Sequence, residues 1–251
     1  MLGPGNKHNL PCRTARSLEE SNLPSISVVI PACNAARYIA AAIESALHQT
    51  CGRLEIIVVD DGSSDQTREV VARYAQTVRY AYQDCAGPAS ARNRGIELAV
   101  GQLIAFLDAD DLWHPNKMAV QMARFSDRPE LVACAARVQN FLSEEYQDPP
   151  AEFASGPGTQ PTTVTLGSTL VARRSLFDAV GMLNPEYRHR DLQDLMVRAD
   201  DAGLVTEILP DTLAQRRVHA NNMSHGRCGA DQMELIAITR ARHVRRRSGT
   251  S

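Results

Sequence analysis

Short apolar runs alternate with amphipathic segments through the first half of the chain. The runs are rich in β-branched residues and end in proline or aspartate, which is the pattern of buried strands. The segments between them repeat apolar residues at helical spacing. This alternation predicts an α/β fold with a mostly parallel central sheet sandwiched by helices. The predicted strands are 25–31, 54–60, 77–82 and 102–108, and the predicted helices are 35–49, 65–76 and 87–99.

The alternation is interrupted in the second half of the chain. Residues 144–162 are rich in proline, glycine and acid, and they predict a long surface loop of the kind that often acts as a lid. The remaining predicted elements are a helix at 115–126, a strand at 131–139, a helix stopped by Gly181, a helix at 190–202, strands at 204–210 and 212–220, and a last helix from about Gly229.

The composition of the chain argues against several kinds of partner and location. Lys and Arg number 27 against 29 Asp and Glu, a formal charge of -2, so no global field indicates nucleic acid or a membrane as partner. Six cysteines form no C-x-x-C pair, as expected of reduced thiols. No segment has the length of a membrane span or the apolar core of a secretory signal, and we expect a soluble cytoplasmic protein. The basic segment 240–251 is either a contact for an anionic partner or, more commonly, a solvated helix end.

Polar residues follow three predicted strands at their carboxyl ends, where open parallel sheets bind ligands. The sequence has no G-x-G-x-x-G turn after its first strand and no P-loop, so neither a dinucleotide fold nor a P-loop enzyme is favoured. Asp108 and Asp110 flank one residue at the end of the fourth run. Because like charges so close repel, this D-x-D predicts a divalent cation, for which carboxylates are suitable ligands.

Four stretches of the chain resemble the family 2 glycosyltransferases of GT-A fold. They are SVVIPACNAARYIAAAIESALHQT, LEIIVVDDGSSDQT, GPASARNRGIELAVGQLIAFLDADDLWHPNKM and RRVHANNMS. The resemblance is dense over about residues 25–125 and thinner to about 225. It implies a GT-A fold with a smaller acceptor-side half, a nucleotide-sugar donor, Mn²⁺ or Mg²⁺ as cofactor, and transfer with inversion to an acceptor that the sequence does not identify.

The resemblance implies roles for residues near the nucleotide. Pro31 and Asp61 fall where the family lines the base and ribose pocket, and Asp60 either serves that pocket or holds the turn. Arg92 and Arg94 precede the D-x-D strand on a predicted helix, and a guanidinium there would suit a diphosphate. We expect Arg94 to make that contact, although an arginine on a helix is more often a surface charge.

The D-x-D residues match the metal site of the family. Asp110 is the expected direct ligand, and Asp108 is expected to meet the ribose or a metal-bound water. His219 matches a late family motif near the diphosphate or metal. Asp111 is expected to cap the turn that follows, and Trp113 either lines a pocket or packs in the core.

The catalytic base is where the chain departs from the family pattern. Family members usually carry an acidic pair at the start of a helix, with an arginine six residues after the key aspartate. Counting back six from Arg198 gives Leu192, which belongs to an apolar stripe. Asp191 lies in the first helical turn and is the expected base. Asp194 is the alternative, although Arg198 four residues later would keep it ionised and occupied.

Two other functions stay open at this point. A catalytically degenerate nucleotide-sugar binding protein of the same fold would account for Leu192. A phosphatase of the haloacid dehalogenase type also uses a D-x-D after an apolar strand, but normally on its first strand and followed by threonine or valine, whereas here Asp111 follows on the fourth.

The expected organisation is a disordered lead, one glycosyltransferase domain and a C-terminal extension. The lead covers 1–24, the domain covers 25–228 with a nucleotide-sugar half at 25–125 and an acceptor half at 126–228, and a helix with a basic tail covers 229–251. The sequence does not indicate an oligomeric state.

Overall fold

One mixed β-sheet runs through the centre of the protein, and helices cover both of its faces. The computed structural model describes residues 25–52, 54–144, 161–162, 166–219 and 233–242. Within these residues the predicted α/β sandwich is confirmed.

The described residues contain nine strands, numbered in chain order, and the first four overlap the apolar runs that the sequence predicts as strands. The strands are β1 (Ile26–Ala32), β2 (Glu55–Asp61), β3 (Val78–Gln83), β4 (Leu103–Phe106), β5 (Leu112–Trp113), β6 (Leu131–Leu142), β7 (Pro161–Thr162), β8 (Val171–Arg173) and β9 (Val205–Val218).

The helices of the described residues are numbered in the same way. They are α1 (Ile39–Leu47), α2 (Thr67–Ala72), α3 (Pro88–Leu98), α4 (Lys117–Asp127), α5 (Arg174–Val180), α6 (Asp191–Asp201) and α7 (233–242).

The sheet has a parallel part and an antiparallel part. β3, β2, β1 and β4 are neighbours and run parallel, as the strand–helix alternation predicts. β8 pairs antiparallel with both β4 and β6, and thereby joins the second half of the chain to the first. β9 runs parallel to β6, whereas β5 is antiparallel to β9. The strand order is β3-β2-β1-β4-β8-β6-β9-β5, with β7 paired to β6.

Each face of the sheet has its own apolar core. In β1, Val28 and Ile30 face the core under α1, α2 and α4, whereas Val29 faces the core under α3, α5 and α6. Successive side chains of a strand point to opposite faces, so a strand buried on both sides needs an uninterrupted apolar run. The two helix layers thereby fix the strand ends, where the polar clusters lie.

The two strands predicted at 204–210 and 212–220 form one strand, β9, so that prediction was wrong. Ala135 pairs with Ile208 and Arg137 pairs with Thr212, so β9 has extra residues around Pro210. Proline cannot donate to a ladder and is tolerated at such a bulge. The break in the sequence pattern therefore marks a bulge within a strand.

Other predicted elements differ at their boundaries. The helix predicted at 35–49 begins at Ile39, because Ala35 first accepts turn hydrogen bonds from the amides of Tyr38 and Ile39. The lead, most of the predicted 144–162 loop and the predicted start of the last helix lie outside the described residues.

None of the helices that the structure describes combines the length and the apolar character needed to cross a bilayer. Four of the cysteines fall in the described part of the chain, and all four are free thiols: Cys33, Cys51, Cys85 and Cys134.

Gly95 lets α3 approach β1 closely. A Cβ atom built at Gly95 would lie 2.2 Å from Cγ1 of Val29, which is fully buried in the core between α3 and the sheet. Because Val29 is β-branched and enclosed, it has little freedom to move away. The short approach of this helix to the sheet therefore depends on a missing side chain.

We expect Gly95→Ala to lower the free energy of unfolding by about 1–3 kcal/mol, because overpacking outweighs the gain in helix propensity. Urea unfolding of Gly95→Ala, Val29→Ala and the double variant checks this. The double variant should lose less stability than the sum of the single variants, because Val29→Ala makes room for the new methyl group. A Gly95→Ala variant as stable as the wild type would contradict the close packing.

Candidate active site

The polar clusters that the sequence predicts come together at one edge of the sheet. Asp60 and Asp61 end β2, and Asp108 follows β4, which pairs with β1 next to β2. The segment after β4 forms a turn in which the Asp111 amide donates to the Asp108 carbonyl at 3.1 Å. The carboxyl ends of the parallel strands therefore lie at the same edge of the sheet and place the acidic side chains along it, as expected.

Asp60 stabilises the turn after β2. Its Oδ1 accepts from the Ser63 amide at 2.9 Å, and its Oδ2 accepts from the Tyr80 hydroxyl at 2.7 Å. The side chain is almost fully buried. Of the two roles left open by the sequence, these contacts favour holding the turn.

Asp61 stabilises the loop that precedes α3 by accepting hydrogen bonds from it. Its Oδ1 accepts from Nε2 of Gln83 at 2.7 Å and from the Ala86 amide at 2.8 Å, and its Oδ2 accepts from the Gly87 amide at 2.8 Å. A carboxylate offers about four lone-pair positions, so these bonds leave about one for a ligand. Pro31 lies beside this site at the end of β1, half-buried and paired with Val59.

Arg92 connects the two halves of the site. Its Nη2 donates to Oδ1 of Asp108 at 2.7 Å, and its Nη1 donates to Oδ2 of Asp191 at 2.7 Å. Arg92 and Asp191 are buried, whereas the side chain of Asp108 is 30% exposed. Burial acts to lower the pKa of Arg92, but the two carboxylates outweigh it and raise the pKa above its usual range.

Arg94 lies on the opposite face of α3. Its Nη1 donates to Glu97 at 3.2 Å, and both side chains are about half exposed. Residues two apart on a helix point in nearly opposite directions, so Arg92 and Arg94 cannot both face the site. The predicted diphosphate contact does not fit this position of Arg94, and Arg92 is the arginine that faces the acids.

The side chains of Asp110 and His219 are in contact with one another. Nε2 of His219 lies 2.9 Å from Oδ2 of Asp110, and the Asp110 side chain is 30% exposed. The His219 ring packs against Tyr38, with ring centroids 4.8 Å apart. Two residues from distant parts of the chain, both predicted as metal ligands, are therefore adjacent.

Asp111 connects the turn after β4 to residues of the second half of the chain by hydrogen bonds. Its Oδ2 accepts from the Ser168 hydroxyl at 2.6 Å, and its Oδ1 accepts from the Arg217 amide at 2.9 Å. These partners are distant in sequence, so the predicted local cap of the turn was wrong. Ser168 Oγ also lies 3.1 Å from the Asp108 amide, and the Ser168 carbonyl accepts from Nε1 of buried Trp113 at 2.7 Å. Trp113 is thus a core residue.

Gly167 lies against Asp108. A Cβ atom at Gly167 would be 2.1 Å from Oδ2 of Asp108, so the turn that precedes β8 passes directly over this carboxylate. A side chain at position 167 would displace Asp108 from its present place.

Asp191 and Asp194 have different surroundings. Asp191 begins α6 and pairs with Arg92, which also holds the D-x-D. Asp194 accepts from Nε of Arg198 at 2.8 Å, and Arg198 donates in turn to backbone carbonyls of the segment after α5. Leu192 is buried in the core beneath α6, as its apolar stripe predicts. Of the two acids, Asp191 is the one linked to Asp108, through their shared partner Arg92.

Negative charge dominates the edge of the sheet. Burial, followed by the charges of Asp110 and Asp108, raises the pKa of Asp111 well above its usual range. Burial also raises the pKa of Asp108, against the opposing effect of Arg92. A bound cation would relieve this repulsion.

The two donors suit a hard divalent cation, but the described residues do not complete its coordination. Among the described residues, no group of three or more His, Cys, Asp or Glu side chains is arranged to hold a metal ion. The carboxylate of Asp110 and the imidazole of His219 supply oxygen and nitrogen. Mg²⁺ and Mn²⁺ sites often use one or two carboxylates and take further oxygens from phosphate and water. The residues present therefore fit such an ion when a diphosphate is bound.

Two buried polar side chains, one at the site and one in the core beside Trp113, have weak signals in the sequence. Ser168 lies in a segment without a motif, and only the topology brings it to Asp108 and Asp111. Lys117 comes two residues after Pro115 and has the sequence context of an ordinary first residue of a helix, yet its side chain is fully buried. Its Nζ lies 4.0 Å from the centroid of the Trp113 ring, and burial lowers the pKa of Lys117 to about 7.

Comparisons with known proteins agree with this geometry. The family model for glycosyl transferase family 2 matches residues 27–181. An uncharacterized glycosyltransferase from Rickettsia typhi is 31% identical over 182 residues, which cover 68% of this chain and 57% of the relative. The chain therefore spans less than two thirds of that relative.

Solved structures share the fold. The crystal structure of TarS 1-349 from S. aureus in complex with UDP-GlcNAc has a TM-score of 0.68 and 21% identity, over 88% of this chain and 66% of that chain. The mannosyltransferase PcManGT from Pyrobaculum calidifontis, in complex with GDP-Man and Mn²⁺, has a TM-score of 0.64 and 20% identity, over 81% of this chain and 59% of that chain. The predicted GT-A fold is confirmed by these similarities.

We expect Lys117→Met to stabilise the protein, most strongly at low pH. The pKa of Lys117 is lowered from 10.5 to about 7, so the unfolded chain binds more protons between these values and wild-type stability rises with pH across that window. Below pH ~7 the buried charge carries its full penalty, and the variant should gain a few kcal/mol, reduced by the lost contact with Trp113. The gain should shrink as the pH approaches ~10.

Urea unfolding of the wild type and the variant at both ends of this window measures the effect. Arg68→Met, which removes an exposed cation from α2, is the control and should show no such pH dependence. An equal difference between Lys117→Met and wild type at both pH values would contradict the lowered pKa of Lys117.

Proposed function

Because the chain belongs to glycosyl transferase family 2, we propose that it transfers a sugar from a nucleotide-sugar donor to an acceptor hydroxyl or similar nucleophile, with inversion at the anomeric carbon. One observation carries the proposal: Arg92 joins Asp108 of the D-x-D turn to Asp191 of α6. A reaction between two substrates needs donor-side and acceptor-side groups within reach of one another, and this contact brings such groups together.

The donor is proposed to bind at the carboxyl ends of β1, β2 and β4. Pro31, Asp61 and Asp108 surround this edge, and the remaining lone pair of Asp61 is assigned to the base. The structural relatives bind UDP-GlcNAc and GDP-Man, which share a nucleoside diphosphate leaving group. We therefore propose a nucleoside diphosphate sugar and leave its base and sugar open.

Asp110 and His219 are proposed to hold a divalent cation, Mn²⁺ or Mg²⁺. Such an ion supplies charge stabilisation to the departing diphosphate. Asp108, fixed by Arg92 and by the Ser168 hydroxyl on its amide, is assigned to the ribose or a water of the ion. Tyr38 packs on the imidazole of His219 and restricts its orientation.

Asp191 is proposed as the general base. Arg92 binds Oδ2 of Asp191 and holds the carboxylate in place, and the second oxygen is assigned to the acceptor. The acceptor oxygen loses its proton to Asp191 as it bonds to the anomeric carbon, while the bond from that carbon to the diphosphate oxygen breaks. One displacement of this kind inverts the anomeric configuration.

A second candidate is a nucleotide-sugar binding protein without transfer activity. Leu192 is buried in the core, and both neighbouring acids are engaged by arginines, Asp191 by Arg92 and Asp194 by Arg198. Thermal-shift titration with nucleoside diphosphates and Mn²⁺, followed by assays of donor hydrolysis and transfer, separates the two. Nucleotide binding without turnover, across varied donors and acceptors, would favour the binding protein.

We expect Asp110→Ala to abolish the effect of Mn²⁺ on nucleotide binding, because His219 alone cannot hold the ion. Calorimetric titration of UDP and GDP, with and without Mn²⁺, measures this. Asp211→Ala, which removes an exposed acid of β9, is the control and should keep the wild-type response. Retention of full Mn²⁺ dependence by Asp110→Ala would exclude the proposed metal site.

We expect Asp191→Asn to lower kcat by roughly 10²- to 10⁴-fold, since an amide cannot accept the proton. Donor affinity should change much less, because an amide oxygen can still accept from Arg92. Steady-state kinetics and donor titration check both.

Asp194→Asn serves as the comparison. It weakens the contact with Arg198 and should lower stability by about 1–3 kcal/mol, with a smaller loss of kcat. If Asp194→Asn abolishes turnover while Asp191→Asn retains it, the assignment of the base is wrong.

A further inference from the structure

α7 is attached to α6 at both ends. Glu234 accepts hydrogen bonds at 2.9–3.0 Å from the backbone amides of residues 188–190, directly before α6. Arg242 donates to Asp201 at 3.1 Å and also contacts Asp200, at the end of α6. Ile238 is buried between these contacts. The two helices therefore run side by side, and α7 begins next to the segment that leads into Asp191.

The face of α7 opposite Ile238 carries two large apolar side chains that are exposed, Met233 (65%) and Ile236 (38%). Leu235, at the edge of the packed face, is 46% exposed. Single exposed apolar residues are common, but this helix holds three of the eight large ones in the described part of the chain. Met233, Ile236 and exposed Arg240 follow one another at helical spacing, so within the described part of α7 the apolar stripe ends at a basic residue.

Charge is distributed unevenly along the chain. Residues 235–251 contain five arginines and no acid, so the rest of the chain carries a formal charge of -7 against the total of -2. The C-terminal region therefore attracts anionic surfaces that the remainder of the protein repels.

We infer that α7 and the arginines of its C-terminal sequence dock the protein on an anionic lipid bilayer. Helices that lie in a bilayer interface combine an exposed apolar stripe with lysine or arginine and have few acids on that side. Anionic lipid headgroups attract such arginines, and the apolar side chains enter the headgroup region. Nucleic acid would also attract the arginines, but it would leave Met233 and Ile236 in water.

Docking in this way has a consequence for the acceptor, which rests on the proposed function. Glu234 joins α7 to residues 188–190, so the bilayer would lie near the start of α6 and near Asp191. A nucleophile carried on a lipid headgroup would reach Asp191 from that side. The acceptor class that fits this arrangement is a lipid-linked hydroxyl compound.

Co-sedimentation with vesicles tests the inference. The wild type should bind vesicles of phosphatidylcholine mixed with phosphatidylglycerol, bind phosphatidylcholine alone weakly, and dissociate in high salt. Met233→Ser/Ile236→Ser should weaken binding by about tenfold or more. Arg245→Gln/Arg246→Gln/Arg247→Gln should weaken it by roughly fivefold per arginine.

Ile208→Ser, which removes an exposed apolar side chain from β9, is the matched control and should bind like the wild type. Thermal-shift titration of every variant with UDP and GDP shows that the fold is intact. This readout is independent of vesicles, so failure of the proposed function and failure of docking are separate results.

Two outcomes would overturn the inference. The first is equal binding to both vesicle types by the wild type and the α7 variants. The second is a wild-type dimer that dissociates in Met233→Ser/Ile236→Ser without any vesicle binding, which would make the exposed face a contact between copies of the chain.

Discussion

A buried guanidinium between two carboxylates is the interaction on which the geometry of the site depends. Arg92 would be costly in the interior without partners, and Asp108 and Asp191 would repel one another without it. Both carboxylates stabilise the buried charge of Arg92, and Arg92 in turn offsets the repulsion between them. This triad fixes α6 against the end of β4, and it does so from α3, so three elements share one electrostatic constraint.

The other two acids of the turn each have partners from elsewhere in the chain. Asp110 meets His219, and Asp111 is held by Ser168 and by the Arg217 amide. The groups that hold them come from β9 and from the turn before β8, elements that belong to the second half of the chain. The acidic cluster is thus formed by the first half and stabilised by the second, which gives the mixed part of the sheet a direct role in the site.

Periodicity predicted most of the fold because each buried strand is an uninterrupted apolar run and each helix has an apolar stripe. The same logic correctly put Leu192 in the core. Periodicity did not predict features that depend on how a helix is rotated against the sheet or on the order of the strands. Arg92 and Arg94 differ by less than a turn of α3, and only the helix packing decides which one is buried. The role of Ser168 follows from strand order, which no local pattern encodes, and Pro210 marks a bulge that resembles a strand break.

The reversed direction of β8 brings its leading turn to the edge where the parallel strands finish. Gly167 and Ser168 therefore lie against Asp108, although about sixty residues separate them from it in the sequence. Two segments that are far apart in the sequence therefore compete for the same space. A side chain at position 167 would occupy the space that the Asp108 carboxylate now fills. Because Asp108 also pairs with Arg92, position 167 is restricted to glycine for as long as this carboxylate keeps its place.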